Sequence, residues 1–191
     1  MNSGLVRMLD WTMALCGLIV LSPVMVIVWI LGYKETGAPV FVQERVGRLQ
    51  RPFNLYKFRT MHPSTASVAT HMVDANAVTP LGQFLRKTKI DELPQLVNVL
   101  KGEMSLVGPR PCLFNQQELI DEREQRGVNQ VLPGITGLAQ INGVDMSQPR
   151  QLAELDKEMI TTFNLKAYFG YILQTAIGRG AGDRIKHHNN K

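Results

Sequence analysis

An uncharged apolar stretch near the N-terminus constrains the fold more than any other feature. Residues 11 to 33 contain no Asp, Glu, Lys, Arg or His, and Trp11 and Trp29 lie close to the two ends. This length is sufficient for a helix in the hydrocarbon core of a membrane, and tryptophan is typical of the interfaces. The run is too long for a signal peptide, and only Arg7 supplies a basic leader. We therefore expect residues 1–33 to be associated with a membrane.

Ser22 and Pro23 interrupt this stretch near its middle. Pro23 cannot donate to the carbonyl of Ile19 and should kink the helix, although the Ser22 hydroxyl could restore part of the lost bonding. After a sharp kink each arm would reach only ~18 Å, which is less than the ~30 Å hydrocarbon core. The segment would then enter the membrane and return. A gently kinked helix that crosses the membrane is equally compatible with the sequence. The flanking charges do not decide between the re-entrant and the crossing arrangement.

Two short strands are predicted for residues 37–47 and 52–61, which carry apolar side chains at alternating positions around a basic, glycine-containing turn. Lys57 and Arg59 lie two residues apart, so both should point to one face of a hairpin and could meet a phosphate together. A solvated basic face is the simpler interpretation. Residues 63 to 80 are predicted to form a mobile loop.

Two adjacent carboxylates, Asp91 and Glu92, follow a basic run and precede an apolar helical pattern. Pro94 is tolerated only in a first turn, so the helix is predicted to begin at or near Asp91, with Arg86 close by at the end of a preceding helix. The carboxylates could simply cap the helix. Alternatively, the site could bind an anion and Asp91 could attack phosphorus as a nucleophile.

Two further segments could contact a phosphorylated ligand. Arg110 lies between Pro109 and Pro111, whose fixed φ angles should hold it in a stiff turn, although an arginine that merely follows a turn is an equal alternative. Residues 133–143, which include Gln140, contain three glycines and should form a compact loop. The net charge of +5 and the pI near 9.4 favour an anionic partner, namely nucleic acid, an acidic membrane or a phosphorylated substrate.

Five motifs in order resemble those of bacterial sugar transferases known as monotopic phosphoglycosyl transferases. The motifs are the Ser22-Pro23 break, Tyr56 to Met61, Asp91 to Ser105, Val107 to Pro111, and Pro133 to Gly137. The likeness covers almost the whole chain, and it replaces the capping interpretation of Asp91. One departure is Val144, where many relatives carry an arginine.

The resemblance implies transfer of a phosphosugar from a UDP-sugar to polyprenyl phosphate at the cytoplasmic face of the bacterial inner membrane. Asp91 would be the nucleophile, forming a covalent phosphosugar ester and releasing UMP, and Glu92 would handle a proton. Both carboxylates would orient a magnesium ion. The phosphate- and substrate-binding residues implied by the motifs are Lys57, Arg59, Arg86, Arg110, Pro111 and Gln140. Short relatives favour N-acetylated amino-sugars as substrates.

The predicted architecture is α+β and mostly helical. A kinked, re-entrant membrane helix (1–33) precedes a compact catalytic domain (34–191) with a small β-hairpin and amphipathic helices at the membrane interface. One of these is the C-terminal helix from Leu165, whose apolar face could instead belong to the core. The expected partners are the UDP-sugar, polyprenyl phosphate and membrane lipids, with no nucleic acid. A homodimer or downstream glycosyltransferases would also fit. A membrane-bound scaffold without activity is the alternative function.

Overall fold

The computed structural model describes residues 3–65 and 77–179, and this part of the chain is mostly helical with two small sheets. Its helices are α1 (Gly4–Thr36), α2 (Pro80–Thr88), α3 (Gln95–Lys101), α4 (Gln117–Gln125), α5 (Leu138–Ile141), α6 (Pro149–Thr161) and α7 (Leu165–Ala176). Its strands are β1 (Val40–Val46), β2 (Pro52–Phe58), β3 (Ser105–Val107) and β4 (Gly134–Thr136). The α+β, mostly helical prediction is therefore confirmed.

The apolar segment forms one continuous helix, α1, which contains Pro23. The Ser22 hydroxyl donates a hydrogen bond of 2.8 Å to the carbonyl of Ile19, the acceptor that Pro23 cannot serve. Ser22 thus supplies the compensation that the sequence predicted. By length and composition α1 could cross a membrane, and a sharp re-entrant kink at Ser22 and Pro23 stays a prediction.

One stripe of α1 packs on the rest of the protein along nearly the whole helix. Val6 and Ala14 belong to the main core, and Val28 packs with Phe58 and Leu85. Val6 and Val28 are ~33 Å apart along the axis at 1.5 Å per residue. The other faces carry exposed apolar side chains, including Ile19, Val20, Val26, Ile27, Trp29, Ile30 and Leu31. The helix is therefore attached near both ends to the same body and leaves an apolar surface uncovered.

A buried carboxylate in α1 joins this helix to the main core. Asp10 is only 1% exposed, and it accepts hydrogen bonds from the Leu106 backbone N–H (2.9 Å) and the Tyr168 hydroxyl (2.8 Å). Burial, together with the adjacent carboxylate, raises the pKa of the Tyr168 phenol, so the hydroxyl stays protonated and donates. Arg7 adds bonds to the carbonyls of Met104 (2.9 Å) and Val99. These contacts fix α1 against β3 and α7.

Removing the Tyr168 hydroxyl should loosen this attachment. Tyr168→Phe deletes a hydrogen bond to a buried carboxylate, so we expect the free energy of unfolding to fall by about 1.5–3 kcal/mol. Asp10→Ala should cost more, because it leaves two buried donors unpaired. Urea unfolding in detergent measures both losses. Tyr33→Phe, at an exposed tyrosine of the same protein, should change stability by less than about 0.5 kcal/mol, and an equal loss in both Tyr→Phe variants would contradict the account.

The predicted hairpin is confirmed. Strands β1 and β2 pair antiparallel with Arg45 opposite Phe53 and Phe41 opposite Lys57, and the turn between them contains a short 3₁₀ helix at Arg48–Gln50. Phe53 and Leu55 face the core, whereas Val40 and Val42 are exposed. The inward face of the hairpin therefore carries polar and charged residues beside its apolar ones, among them Gln43, Arg45 and Lys57, all buried.

The glycine-rich segment 133–143 forms strand β4 and the short helix α5, and the prediction of a compact loop was therefore wrong. Gly134 begins strand β4, which pairs in parallel with β3. A Cβ atom on Gly134 would lie 2.0 Å from the backbone nitrogen of Gly108, so glycine is required by the contact between the two chain segments. The close approach that Gly134 permits is between two backbone segments.

The C-terminal helix α7 divides its residues between core and surface. Tyr168 and Tyr171 are buried, whereas Leu165, Phe169, Leu173 and Ile177 form an exposed apolar stripe at four-residue spacing. One face of α7 thus belongs to the core and the other is exposed. The location of this helix at a membrane interface stays a prediction. The basic tail beyond Arg179 and most of the predicted loop (66–76) lie outside the described residues.

Candidate active site

Asp91 and Glu92 lie one turn before the apolar helix, not at its start. They form a 3₁₀ turn, Ile90–Glu92, after Lys89, whose left-handed backbone (φ 59°) ends α2. Pro94 then occupies the N-cap position of α3, where its missing N–H is harmless. The prediction that this helix begins at or near Asp91 was therefore wrong by one turn. Both carboxylates are buried, with 2% and 7% exposure.

Arg110 contacts the second carboxylate directly. Its Nη2 atom lies 2.9 Å from Oε1 of Glu92, although 18 residues separate them in sequence. The Glu92 side chain is 9% exposed and that of Arg110 24%, so the pair sits at the edge of the interior. A charged hydrogen bond at this depth is shielded from water and is stronger than one on the surface. This contact places Arg110 beside the acidic pair, whereas its role in phosphate binding stays a prediction.

A small cleft beside this pair is lined by three basic side chains. Arg45 and Lys57 come from the inward face of the hairpin, and Arg110 from the loop after β3. The other lining residues are Leu55, Gln95, Pro111 and Gly134. Three cations that converge on one cleft, one of them bonded to the buried Glu92, form a suitable environment for a negatively charged ligand.

Two other predicted residues, Arg59 and Arg86, do not line the cleft. Arg59 packs over the Phe41 ring (5.3 Å), as Lys57 does (5.7 Å), so the two share a face as predicted. The Arg59 Nε atom donates to the carbonyl of Ala38 (2.7 Å). Arg86 donates to the hydroxyl of Thr60 at 2.8 Å. For these residues a role in phosphate binding stays a prediction.

Gln140 is buried and does not line the cleft. Its amide Nε2 donates a long hydrogen bond (3.4 Å) to the carbonyl of Gly108, and its Oε1 atom has no hydrogen-bond partner among the described residues. Val144, where a cation was expected, packs with the apolar cluster around Val46 and Ala139. The cation Arg45 enters the site from a different element.

The backbone that carries Arg110 is held at four consecutive carbonyls. The carbonyl of Pro109 accepts from the Gly134 N–H (2.9 Å) and that of Cys112 from the Val46 N–H (2.9 Å). Those of Arg110 and Pro111 accept from the side chains of two arginines, Arg123 (2.9 Å) and Arg45 (3.1 Å). This turn is therefore fixed by contacts from three different parts of the chain.

Sequence reasoning missed several residues of this site, namely Arg45, Gln95, Arg123 and Asp156. Arg45 and Lys57 lie on the same inward face of the hairpin as the apolar residues. The two-residue periodicity of the strands was the sequence signal that could have placed Arg45 in the site. Arg123 lies on α4 and Asp156 on α6, and nothing in their sequence spacing pairs them.

Comparison with known proteins agrees with the motifs. The sequence model described as "Bacterial sugar transferase" matches residues 1–179. The chain belongs to the bacterial sugar transferase family. Its sequence is 42% identical over 151 residues to the uncharacterized sugar transferase EpsL of Bacillus subtilis. The aligned region covers 78% of this chain and 74% of EpsL.

Two further relatives have names that state a substrate. The undecaprenyl-phosphate galactose phosphotransferase of Salmonella typhimurium is 36% identical over 157 residues, covering 72% of the chain but 32% of the relative. A putative undecaprenyl-phosphate N-acetylgalactosaminyl 1-phosphate transferase of Bacillus subtilis is 46% identical over 109 residues, covering 55% of the chain and 60% of the relative. This sugar transferase therefore spans less than two thirds of either of these relatives.

Proposed function

We propose that this enzyme transfers a sugar phosphate from a UDP-sugar to polyprenyl phosphate. The observation that carries the proposal is a cleft lined by Arg45, Lys57 and Arg110, in which Arg110 bonds Glu92, one member of the buried carboxylate pair Asp91–Glu92. A UDP-sugar and polyprenyl phosphate are both anions, and cations are needed to bring them to the same carboxylates. The names of the relatives, which include galactose and N-acetylgalactosamine phosphate transferases, support the same chemistry.

The reaction would proceed by two displacements at phosphorus. An Asp91 carboxylate oxygen attacks the β-phosphorus of the UDP-sugar, the bond from that phosphorus to the bridging oxygen breaks, and UMP leaves with the electron pair. An oxygen of polyprenyl phosphate then attacks the same phosphorus and releases the Asp91 carboxylate. Dividing one difficult transfer into two steps at a positioned nucleophile lowers each barrier.

Glu92 and the basic residues would assist without forming a covalent bond. The guanidinium of Arg110 at 2.9 Å keeps Glu92 oriented, and Glu92 would handle the proton exchanged with the acceptor phosphate. Lys57 and Arg45 would face phosphate oxygens in the cleft, where charge builds up in each transition state.

Magnesium is the cofactor that this chemistry favours. The described residues contain no group of three or more His, Cys, Asp or Glu side chains placed to hold a metal. However, Mg²⁺ is commonly bound by one or two carboxylates together with substrate phosphates and water. Asp91 and Glu92 fit that pattern and would hold the ion, which would act as a Lewis acid on the phosphate oxygens.

For α1 we propose a re-entrant arrangement, with the enzyme on the cytoplasmic face of the inner membrane. The helix contacts the same body through Val6 near one end and Val28 near the other, whereas the two ends of a crossing helix lie on opposite sides of a bilayer. The exposed apolar stripe of α7 would add a second contact with lipid.

Cysteine labelling tests this topology. In a Cys16→Ser background Cys112 is buried, so single cysteines placed at Gly4 and Lys34 can be read separately. We expect a membrane-impermeant maleimide to label both in sealed inside-out vesicles, to the same extent as after detergent lysis. Labelling of only one position before lysis would indicate a crossing helix.

The proposed activity is tested by UMP release. Detergent-purified protein with Mg²⁺ and undecaprenyl phosphate should release UMP from at least one of UDP-glucose, UDP-galactose, UDP-N-acetylglucosamine and UDP-N-acetylgalactosamine. We expect an N-acetylated amino-sugar to be the preferred donor. Absence of UMP release from the whole panel would favour a membrane-bound scaffold instead.

A further inference from the structure

A second buried ion pair lies outside the cleft, between helices α4 and α6. Arg123 donates from Nη2 (2.7 Å) and Nε (3.0 Å) to the same oxygen of Asp156. The two side chains are 4% and 0% exposed, and the other oxygen of Asp156 has no hydrogen-bond partner among the described residues. Removing two charges from water is costly, and apolar replacements for such pairs are often as stable. Stability alone is therefore a weak reason for this pair.

The remaining edge of the Arg123 guanidinium points to the active-site turn. Its Nη1 atom donates to the backbone carbonyl of Arg110 at 2.9 Å. Because the guanidinium is planar and rigid, the two bonds to Asp156 determine where Nη1 is aimed. Asp156 thus orients Arg123, and Arg123 holds the peptide group that follows Arg110.

That peptide group controls the direction of the Arg110 side chain. Pro109 and Pro111 fix the φ angles on either side, and the carbonyl held by Arg123 belongs to the bond between Arg110 and Pro111. With this plane fixed, the Arg110 side chain leaves the backbone in one direction and reaches Glu92 at 2.9 Å. The contacts form a chain from Asp156 through Arg123 and Arg110 to Glu92.

We propose that Arg123 and Asp156 are positioning residues for the reaction, which hold Arg110 in the orientation that engages Glu92. The proposal rests on the proposed function, because it assigns a role in that site to residues that touch no substrate. The pair lies beside an apolar cluster of Val46, Cys112, Leu119, Ile120, Ala139, Leu152 and Ala153, so water competes little for these bonds.

A paired substitution separates positioning from folding. Arg123→Met combined with Asp156→Leu removes both charges and leaves neither one buried alone, so the variant should keep its unfolding midpoint. It also removes the bond to the Arg110 carbonyl. We expect kcat for UMP release to fall about 10- to 100-fold, with a smaller change in KM, because small misplacements of catalytic groups have effects of this size. A folded paired variant with kcat within twofold of the natural enzyme would overturn the proposal.

Arg126→Gln is the matched control. Arg126 is the C-cap residue of α4 and bonds Glu122 and Glu154, so it too bridges to α6, but among the described residues it donates to no carbonyl of the active-site turn. Its kcat should stay within twofold of the natural value. An equal loss of kcat in the control and in the paired variant would overturn the proposal, because a general effect on α4 and α6 would then explain both.

A double-mutant cycle adds a readout that a merely structural role would not change. In an Arg110→Gln background, the paired substitution should lower kcat less than threefold, because the group it positions is already absent. The same 10- to 100-fold loss in both backgrounds would show that the pair acts independently of Arg110. If the paired variant does not fold, Arg123→Lys is tested in its place. It keeps a charge beside Asp156 and cannot serve all three bonds.

Hydrogen exchange distinguishes failure of this proposal from failure of the proposed function. If the natural protein releases no UMP with any donor, the proposed function is wrong, but the contact between Arg123 and the active-site turn can still be tested. Amide exchange in peptides covering residues 105–116 should be faster in the paired variant than in Arg126→Gln, because Arg123 no longer holds the turn. Unchanged exchange would overturn the positioning role.

Discussion

Replacing Asp91 by Asn should lower the rate of UMP release on the order of 10⁴-fold or more, with little change in folding. The side chain keeps its shape, but an amide has neither the charge nor the nucleophilicity of a carboxylate, and removal of a nucleophile has effects of this size in other enzymes. Initial rates with the preferred UDP-sugar and undecaprenyl phosphate measure the loss.

Asp145→Asn is the matched control for this prediction. Asp145 is half-buried in the turn before α6, where its carboxylate accepts from the Ser147 backbone N–H at 2.9 Å. Its conversion to Asn should leave the rate within about twofold, because Asp145 does not line the cleft. If Asp91→Asn kept a tenth or more of the natural rate, another group would have to be the nucleophile.

Replacing Arg110 by Gln should reduce kcat about 10²- to 10³-fold. The substitution removes the guanidinium that contacts Glu92 and one of the three cations of the cleft, and loss of one electrostatic stabiliser of a transition state has this effect elsewhere. Arg110→Lys should recover part of the rate, because it restores the charge but not the planar fork. Steady-state kinetics with varied UDP-sugar measure both variants.

Arg150→Gln controls for the loss of an arginine from an ion pair. Arg150 bonds Glu154 at 3.1 Å on the exposed face of α6, and such surface pairs contribute little. We expect its kcat to remain within twofold of the natural value. Equal effects at Arg110 and Arg150 would remove Arg110 from the active site.

Local patterns predicted much of the fold. The alternation of residues 52–61 and the basic turn before them define a hairpin, and the apolar run with Ser22 and Pro23 defines α1 together with its compensating hydrogen bond. These features depend on neighbours in the sequence, for which spacing is informative. The start of α3 was misplaced because the residues around Asp91 form a 3₁₀ turn, with the Glu92 and Leu93 N–H groups bonded three residues back, which an apolar periodicity does not reveal.

Long-range contacts explain what the sequence did not predict. The parallel pairing of β3 with β4 joins residues 105–107 to residues 134–136, and each strand is too short to have a periodicity of its own. Arg123 and Asp156 are likewise paired across 33 residues by the packing of two helices. Glycine in the segment from Gly134 suggested a ligand loop, since close approach to a ligand and close approach to another backbone require the same residue.

The most direct test of a covalent intermediate on Asp91 is the intact mass of the detergent-purified protein after incubation with Mg²⁺ and each UDP-sugar, without a lipid acceptor. We predict a mass increase equal to one sugar phosphate with the correct donor, reversal of that increase on adding undecaprenyl phosphate, and no increase in Asp91→Asn. A natural enzyme that releases UMP in the presence of the acceptor, yet never gains this mass without it, would contradict a covalent intermediate on Asp91.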